Sequence, residues 1–585
     1  MLALRAFASR LRLGCAALTL PLLLAAGCAQ LPQNVERPVS TALASPSGTA
    51  LAELVQQRRT ATQGRFESGF VLLDGPQVAY GSRLALIEAA QKTLDLQYYA
   101  IHADASTGRL LRGVVAAARR GVRVRVLLDD FHSTGRNALV MRLAFEPGIE
   151  MRMFNPVAGA RGSTLGRMLN AAGDFDRAQQ RMHNKLFIAD NAMGVTGGRN
   201  LGDAYFGIAQ TRNFVDMDVL AAGPIVQDLS RSFDSYWNNE RAYPVQSLVD
   251  REELQQIRDR VRTEESAQRA RDQEGADGPK PPDGEPRPAD AGPTDAQRAA
   301  VWDEKPLDLR SAAFVWAPAV MLADAPAKIA AETGGSTTDS GAPPGLVALQ
   351  PPAAASAGTP MAAVENASKT ATDSETVVSG LLQLIGETRS DLTIISPYFV
   401  PGPDMKQAFA SARARGVRVR VLTNSLASND APIAHVGYAR HREELLAMGV
   451  ELYELRSEQA GLGSAFGSSG ATAAGESRSM LHSKVLVLDG RLLVVGSMNL
   501  DLRSQLQNTE IALLIRSGEL SRRAIAQIET AMRQGAWRVE QSDGALVWRA
   551  PEGSQLQDAH TEPDTSAGLR LLLKLFGPLA PDELL

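Results

Sequence analysis

Cysteine, histidine and lysine are scarce in this chain: its 585 residues hold 2 Cys, 7 His and, among 61 basic residues, 9 Lys against 52 Arg. Two cysteines cannot build a disulfide framework or a Cys-rich zinc site. A formal charge of −4, with no Lys-rich stretch, gives no general electrostatic case for nucleic acid as a partner. Aromatic residues stop at 5%, yet 44% hydrophobic and 22% charged residues is the balance of a globular protein with a sizeable core. At about 150 residues per domain, the length allows about four units at most. With so few histidines, any that carry chemistry stand out.

Both cysteines lie at the start of the chain. Arg5, Arg10 and Arg12 precede an apolar run from Leu13 to Ala26. The run is short for a membrane span and suits the hydrophobic region of a secretory signal. It ends in Leu24-Ala25-Ala26-Gly27-Cys28, which resembles a bacterial lipobox with Ala25 where Leu is usual. Residues 1–27 are therefore expected to be a lipoprotein signal peptide, removed together with Cys15. Cys28 becomes the acylated first residue, the link to a bacterial membrane, and residues 28–65 a tether. Ala29 is not the Asp that bacterial sorting reads as inner-membrane retention. The expected location is the cell envelope, lipid-anchored at the outer membrane and facing the periplasm.

The chain is duplicated. Gly121-Val122-Arg123-Val124-Arg125-Val126-Leu127 recurs letter for letter as Gly416-Val417-Arg418-Val419-Arg420-Val421-Leu422. Each copy follows a helical Ala/Arg-rich stretch and, before that, an apolar strand ending in aromatics (Tyr98 and Tyr99; Tyr398 and Phe399). Those aromatics are expected to pack in the core. Val alternating with Arg is the period of a half-buried strand, with the arginines on a solvated face. Strand–helix–strand order in both copies predicts an α/β fold: two pseudo-symmetric halves, each a mixed sheet flanked by helices, around one shared active site. The halves are expected at 66–250 and 376–585, the latter with a C-terminal extension in which Leu571 to Phe576 docks as a helix or strand. Residues 251–375 read as a flexible charged and Pro/Gly/Ala-rich linker with a structured island near 301–330, where Val315 to Leu322 suits a strand. A Gly/Ser/Ala-rich loop spans 457–478.

The scarce residues converge in one constellation per half. The first is His183-Asn184-Lys185, then Asp190, then Gly197-Gly198-Arg199-Asn200. The second is His482-Ser483-Lys484, then Asp489, then Gly496-Ser497-Met498-Asn499. In both, Asp follows Lys by five residues and Gly follows Asp by seven. Two such coincidences at equivalent places in a repeat are not accidental. On a strand, His and Lys two apart share a face. A Lys beside a His on a core strand needs an anion, and a phosphate supplies it. A pseudo-twofold axis would bring both His–Lys pairs, Asn200 and Asn499 to one point. One His would then attack phosphorus while the other protonates the leaving oxygen, with the lysines, the asparagines and the Ser497 hydroxyl on the phosphate. Asp190 and Asp489 lie off the His–Lys face and read as members of the catalytic constellation that organise it rather than react. No metal and no cofactor is called for.

These residues resemble the phospholipase D superfamily, whose signature is His-x-Lys-x4-Asp, and within it bacterial cardiolipin synthases and related phospholipase D-like lipoproteins. Phe154-Asn155-Pro156, Tyr205-Phe206, Trp316 with Asp324, Pro326 and Lys328, Tyr438-Ala439-Arg440, and Gly449 to Glu454 fit the same resemblance. It implies phospholipid substrates and two-step phosphatidyl transfer through a phosphohistidine in a monomeric active site. His183 is the implied nucleophile and His482 the acid, although the residues themselves do not exclude the reverse. It also implies a carboxylate downstream of each motif to orient its histidine: Glu510 in the second half and Asp216 in the first, with Asp218 as a rival. The departure is Gly198 where the second half has Ser497. A phosphatidyltransferase giving cardiolipin is the leading expectation, and a hydrolase releasing phosphatidic acid the alternative. A metal-independent nuclease is disfavoured by charge, and a non-enzymatic envelope scaffold by two intact motifs.

Overall fold

A computed structural model describes residues 30–159, 161, 174–209, 212–274, 295–329, 376–457, 478–577 and 581–582. Cys28 and the signal-like segment lie outside the described residues, as do much of the linker and most of the Gly/Ser/Ala-rich loop.

Two nine-stranded sheets carry the two halves. In the first, strand Thr93–Tyr98 pairs in parallel with Arg123–Asp129, which pairs in parallel with Ile149–Phe154. On its other side Thr93–Tyr98 meets Leu186–Ala189, then Met193–Gly197 and Asp218–Ala222, all antiparallel. The second sheet repeats this with Asp391–Ile395, Arg418–Asn424 and Glu451–Leu455 parallel, and Val485–Leu488, Leu492–Gly496 and Ile511–Arg516 antiparallel. The sheets are mixed, as the duplicated strand–helix–strand order predicts.

The central strands are apolar on both faces because both are covered. Helices such as Ala105–Arg119 and Pro403–Ala414 close the outer faces, burying Leu110 and Val114, and Met405 and Phe409. The inner faces meet in one core drawn from both halves, including Val219 and Ala221 from the first and Leu493, Val495 and Leu513 from the second. The island between the halves joins them: Val315–Trp316 pairs with Gly69 and Phe70 on the edge of the first sheet, and Ala319–Ala323 pairs with Ile511–Arg516 on the edge of the second.

Three sequence expectations change. The alternating arginines do not share a solvated face. Asp95 lies directly opposite Arg125 on the neighbouring strand, and the buried guanidinium meets Asp95 at 2.7 Å and Asp234 at 2.8 Å. In the second half, buried Arg420 meets Asp391 and Glu529, while Arg418 stays exposed against Glu451. The charged segment after residue 250 is not free chain: Arg251–Glu274 is a helix whose Leu254, Ile257 and Val261 form an apolar stripe, buried in the first-half core. The segment expected as a tether also packs, since helix Ala50–Ala61 buries Leu51 and Val55 and the Ser40 carbonyl accepts from Arg125.

Candidate active site

Each motif histidine sits where its chain crosses from one half to the other. Strand Arg478–Leu481 pairs in parallel with Arg212–Val215 of the first half, with Leu481 opposite Val215. His482 and Asp216 are the next residues on those two strands, and His482 Nδ1 lies 2.7 Å from the Asp216 carboxylate. The pseudo-symmetric backbone pairing spans fewer residues: Met182 bridges to Thr509 in parallel, the His183 amide donates to the Thr509 carbonyl, and His183 Nδ1 lies 2.9 Å from Glu510. Each carboxylate therefore orients the histidine of the other half, not of its own, which corrects the downstream-carboxylate expectation. Asp218, the rival to Asp216, is occupied by Arg83 and by the Arg199 amide.

The expected continuous motif strands are interrupted for the same reason. His183 to Lys185 lie between the bridge at Met182 and the strand beginning at Leu186, because the chain changes pairing partner there. The Lys185 and Lys484 ammonium groups each donate to the carbonyl of their own motif histidine at 2.6 Å. Both lysines and both carboxylates are buried, and each histidine is nearly so.

The phosphate-binding expectations divide. Asn200 is already committed, accepting from the Ala100 amide and donating to the Tyr205 hydroxyl. Among the described residues Asn499 Oδ1 is buried without a partner, so this side chain is not committed as Asn200 is, and its Nδ2 is the group that can donate to a phosphate oxygen. Ser497 does not face a phosphate position: its hydroxyl donates to Glu510 and accepts from the Ile511 amide at 3.0 Å. Glycine replaces it at position 198 because a Cβ there would stand 2.4 Å from an Asp216 carboxylate oxygen. The Gly198/Ser497 departure thus follows from how each carboxylate is held.

Asp190 and Asp489 are not near the reacting groups. Five residues beyond each Lys, at about 3.3 Å per residue, the chain has run the length of a strand to the hairpin turn. There both adopt left-handed backbone (φ 52° each). The Asp190 carboxylate accepts from the amides of Gln91, Lys92 and Thr93, and Asp489 from those of Arg389, Ser390 and Asp391. They staple the motif hairpin to the start of the central strand.

Sequence reasoning gave no site role to several contributors, although Tyr205, Asp324 and Lys328 were among the residues carrying the resemblance. Ser504 donates to Glu510 at 2.9 Å, and Asp324 of the island accepts from the Glu510 amide, the Val377 amide and Lys328. Phe214 packs against His482 with ring centres 5.0 Å apart, beside Tyr205 at 5.3 Å. Tyr99 was expected in the core, but it stands edge-on to His183 at 5.1 Å, with His132 edge-on to it in turn. Tyr98 and Phe399 are core residues as expected. His435 lies 3.4 Å from Glu562 and His441 3.0 Å from Asp582, away from the motif histidines.

Burial dominates the electrostatics. It pushes the His183 imidazole down to about 3, against the attraction of Glu510 and with the help of Lys185. Burial and then Lys484 lower His482, against Asp216. Both rings are thus neutral in the free site, presenting Nδ1–H to a carboxylate and a free Nε2. Burial opposes ionisation of Glu510, but the His183 contact, Lys185 and Ser497 outweigh it and hold Glu510 at about 2. Asp216 is lowered in the same way by His482, Arg199 and Lys484. Burial takes Lys185 down to about 7 and Lys484 to about 8. Two lysines that hold their protons only weakly, beside two ionised carboxylates, form a pocket that gains from receiving an anion. Among the described residues, no group of three or more His, Cys, Asp or Glu is arranged to hold a metal ion.

The two halves, the crossed histidines and the buried lysines define a phospholipase D-type enzyme. A family model described as "Cardiolipin synthase, PLD-like domain" matches residues 84–237 and again 381–532, and the chain belongs to that family. Cardiolipin synthase C of Escherichia coli K12 is 32% identical over 534 residues, covering 89% of this chain and 96% of its own. An uncharacterised protein of Helicobacter pylori 26695 is 29% identical over 545 residues, 92% of each chain. Among solved structures, a phosphatidylserine synthase from Haemophilus influenzae Rd KW20 aligns over 90% of this chain and 99% of its own, at 13% identity and a TM-score of 0.49.

Proposed function

We propose that this protein is a phosphatidyltransferase that moves the phosphatidyl group of one phospholipid onto a hydroxyl of a second, giving cardiolipin when both are phosphatidylglycerol. The observation that carries this reading is the pair of crossed His–carboxylate contacts, which hold each imidazole by Nδ1 and so leave its Nε2 for chemistry, with Lys185 and Lys484 near enough to act on both rings. The 32%-identical relative named cardiolipin synthase C supports it.

In the first step His183 Nε2 attacks phosphorus, and the bond from phosphorus to the leaving glycerol oxygen breaks. Protonated His482 gives its proton to that oxygen, leaving a phosphatidyl-His183 intermediate. The negative charge of an arriving phosphodiester favours the imidazolium form of His482, which takes up a proton from solvent as the substrate binds. In the second step His482 takes the proton of the acceptor hydroxyl, whose oxygen attacks phosphorus and displaces His183. Lys185, Lys484 and the Asn499 amide stabilise charge on the nonbridging oxygens. Glu510 and Asp216 are positioning residues that fix the tautomer of each ring.

The reading extends to the envelope. Acylation at Cys28 would tether the enzyme to the outer membrane, facing the periplasm, within reach of lipid substrates. That location, inferred from Ala29, is also what favours a second reading, a hydrolase in which water is the acceptor. Purified protein with phosphatidylglycerol vesicles separates them: cardiolipin supports the transferase, phosphatidic acid as sole product supports the hydrolase. His183→Ala and His482→Ala abolish either. Mass spectrometry of rapidly quenched protein locates the adduct; a phosphatidyl group on His482 would reverse the nucleophile assignment.

A further inference from the structure

The C-terminal helix Ala567–Phe576 is held in place yet leaves its apolar face uncovered. Its start is capped by the Ser566 hydroxyl, and Arg570 fastens it to the carbonyls of Glu562 and Thr565. At its end, Gly577 packs on Val436 and its carbonyl accepts from Arg440. Between these fixed ends Leu571, Leu572 and Leu575 are 60%, 52% and 63% exposed. At 100° per residue, the three lie within one arc of about 100°. A globular protein rarely spends three leucines on water at one spot without a use for them.

Further exposed apolar side chains lie on elements that contact the C-terminal helix or the active site. Helix Pro432–Ala447, which receives the end of the C-terminal helix at Val436 and Arg440, shows Ile433 to solvent. Asp430, just before that helix, accepts from the Tyr398 hydroxyl and acts electrostatically on Lys484. Two more exposed apolar side chains stand beside the chemistry. Phe131 stacks on Tyr99, which meets His183, and Leu506 ends the short helix whose Ser504 holds Glu510. The C-terminal helix carries Arg570 and Lys574 and no acidic residue. Among the described residues no helix is long and apolar enough to cross a membrane.

We propose that this face is a lipid-bilayer docking surface: the C-terminal helix lies in the plane of an anionic membrane surface, with Leu571, Leu572 and Leu575 in the acyl boundary and Lys574 among the headgroups. A diacyl substrate then passes to the site along Ile433, Phe131 and Leu506 without its chains entering water. This rests on the phospholipid reading above for its purpose, though not for its test. The short helix makes a reversible contact, distinct from any anchorage through Cys28.

The test uses the mature chain from residue 28 with Cys28→Ser, so that neither acyl chains nor the apolar run of residues 13–26 masks the contact. Hydrogen exchange with and without phosphatidylglycerol vesicles is the first measurement, and protection confined to the helix and the Ile433 turn is expected. Leu571→Glu/Leu572→Glu/Leu575→Glu is expected to weaken vesicle partition at least about tenfold, while turnover of short-chain phosphatidylglycerol below its micelle concentration is unchanged. Unprotected helix amides in the vesicle-bound protein with Leu at all three positions would overturn the proposal. So would vesicle partition unchanged in the triple variant, including a case where that variant only turns a dimer into a monomer by light scattering, which would assign the face to a second copy. Helix protection without turnover of any phospholipid would leave the docking surface standing and remove the catalytic reading.

Discussion

His482 Nδ1 lies 2.7 Å from a carboxylate oxygen of Asp216, a residue 266 positions earlier in the chain, and the contact is fixed by a parallel strand pair that joins the two halves. With His183 and Glu510 arranged the same way in reverse, neither half holds a complete histidine–carboxylate unit by itself. The active site is therefore a product of docking the halves, and anything that separates them disassembles both units together.

The crossing predicts the outcome of two conservative substitutions. Glu510→Gln and Asp216→Asn keep the shape of each contact but remove the charge that holds the ring with its proton on Nδ1. Each is expected to lower kcat by about 10²- to 10⁴-fold with little change in unfolding temperature. The pairing itself is read by ¹⁵N spectra of histidine-labelled protein. Glu510→Gln should move the His183 ring resonances and leave those of His482, and Asp216→Asn should do the converse. Movement of the histidine in the same half would refute the crossed assignment.

A second prediction concerns the island between the halves. Asp324 is buried and accepts from the Glu510 amide, the Val377 amide and Lys328, which in turn donates to the Ser504 carbonyl. Asp324→Ala strands Lys328 and loosens the backbone of Glu510. The expected cost is about 3–5 kcal/mol of stability and, in protein still folded at low temperature, a fall in kcat without an equal change in KM. Ser504→Ala removes one donor to Glu510 and should act in the same direction but more mildly, by about 1–3 kcal/mol. If Asp324→Ala loses stability while kcat holds, the island is structural only.

The two motifs were legible because His and Lys are rare enough that their paired recurrence carries meaning, and the duplicated Val/Arg string marked equivalent strands. Which carboxylate serves which histidine was not legible, because it depends on strands from different halves coming side by side, a contact that no local pattern encodes. Ser497 shows the same limit: its position in the motif says phosphate, but its hydroxyl points at a carboxylate delivered by a neighbouring strand. The odd spacing of Asp190 and Asp489 did signal a non-reacting role, and strand rise explains how far from the site they fall. The arginines failed differently. Period-2 alternation gives the face a side chain is on, but it does not say whether a helix with an acidic residue covers that face.

That last point makes a third prediction. Arg125 is enclosed by Asp95 and Asp234, whereas Arg418, at the equivalent strand's outer position, reaches only the half-exposed Glu451. Arg125→Ala leaves two carboxylates facing each other with no cation between them, at an expected cost of about 3–5 kcal/mol. Arg418→Ala should cost less than about 1 kcal/mol. Thermal unfolding of the two variants side by side checks the contrast, and equal losses would show that burial of the first pair is not what matters.

The fourth prediction follows from the lysines. Burial pushes Lys185 down to about 7, with Lys484 adding to the shift and Glu510 opposing it. Burial takes Lys484 to about 8 against the pull of Asp216 and Glu510. An anion binds the ammonium form, so affinity is greatest below about pH 7 and falls as the pH rises through both values. Sulfate keeps its charge over this range and isolates the effect of the protein: its dissociation constant should rise at least about tenfold between about pH 6.5 and 9. Stability of the empty site moves the opposite way. The unfolded chain holds lysine protons up to the ordinary value of 10.5, so between about 7 and that value it binds more protons than the folded one. The lysine contribution to stability therefore rises with pH across that window. Added sulfate should raise the unfolding temperature strongly at low pH and hardly at all at high pH. Lys185→Met/Lys484→Met should remove most of the sulfate effect and flatten its pH dependence. A sulfate affinity that stays constant from about pH 6.5 to 9 in the unsubstituted protein would show that neither lysine gives up its proton there, and that the anion pocket is held open by some other charge.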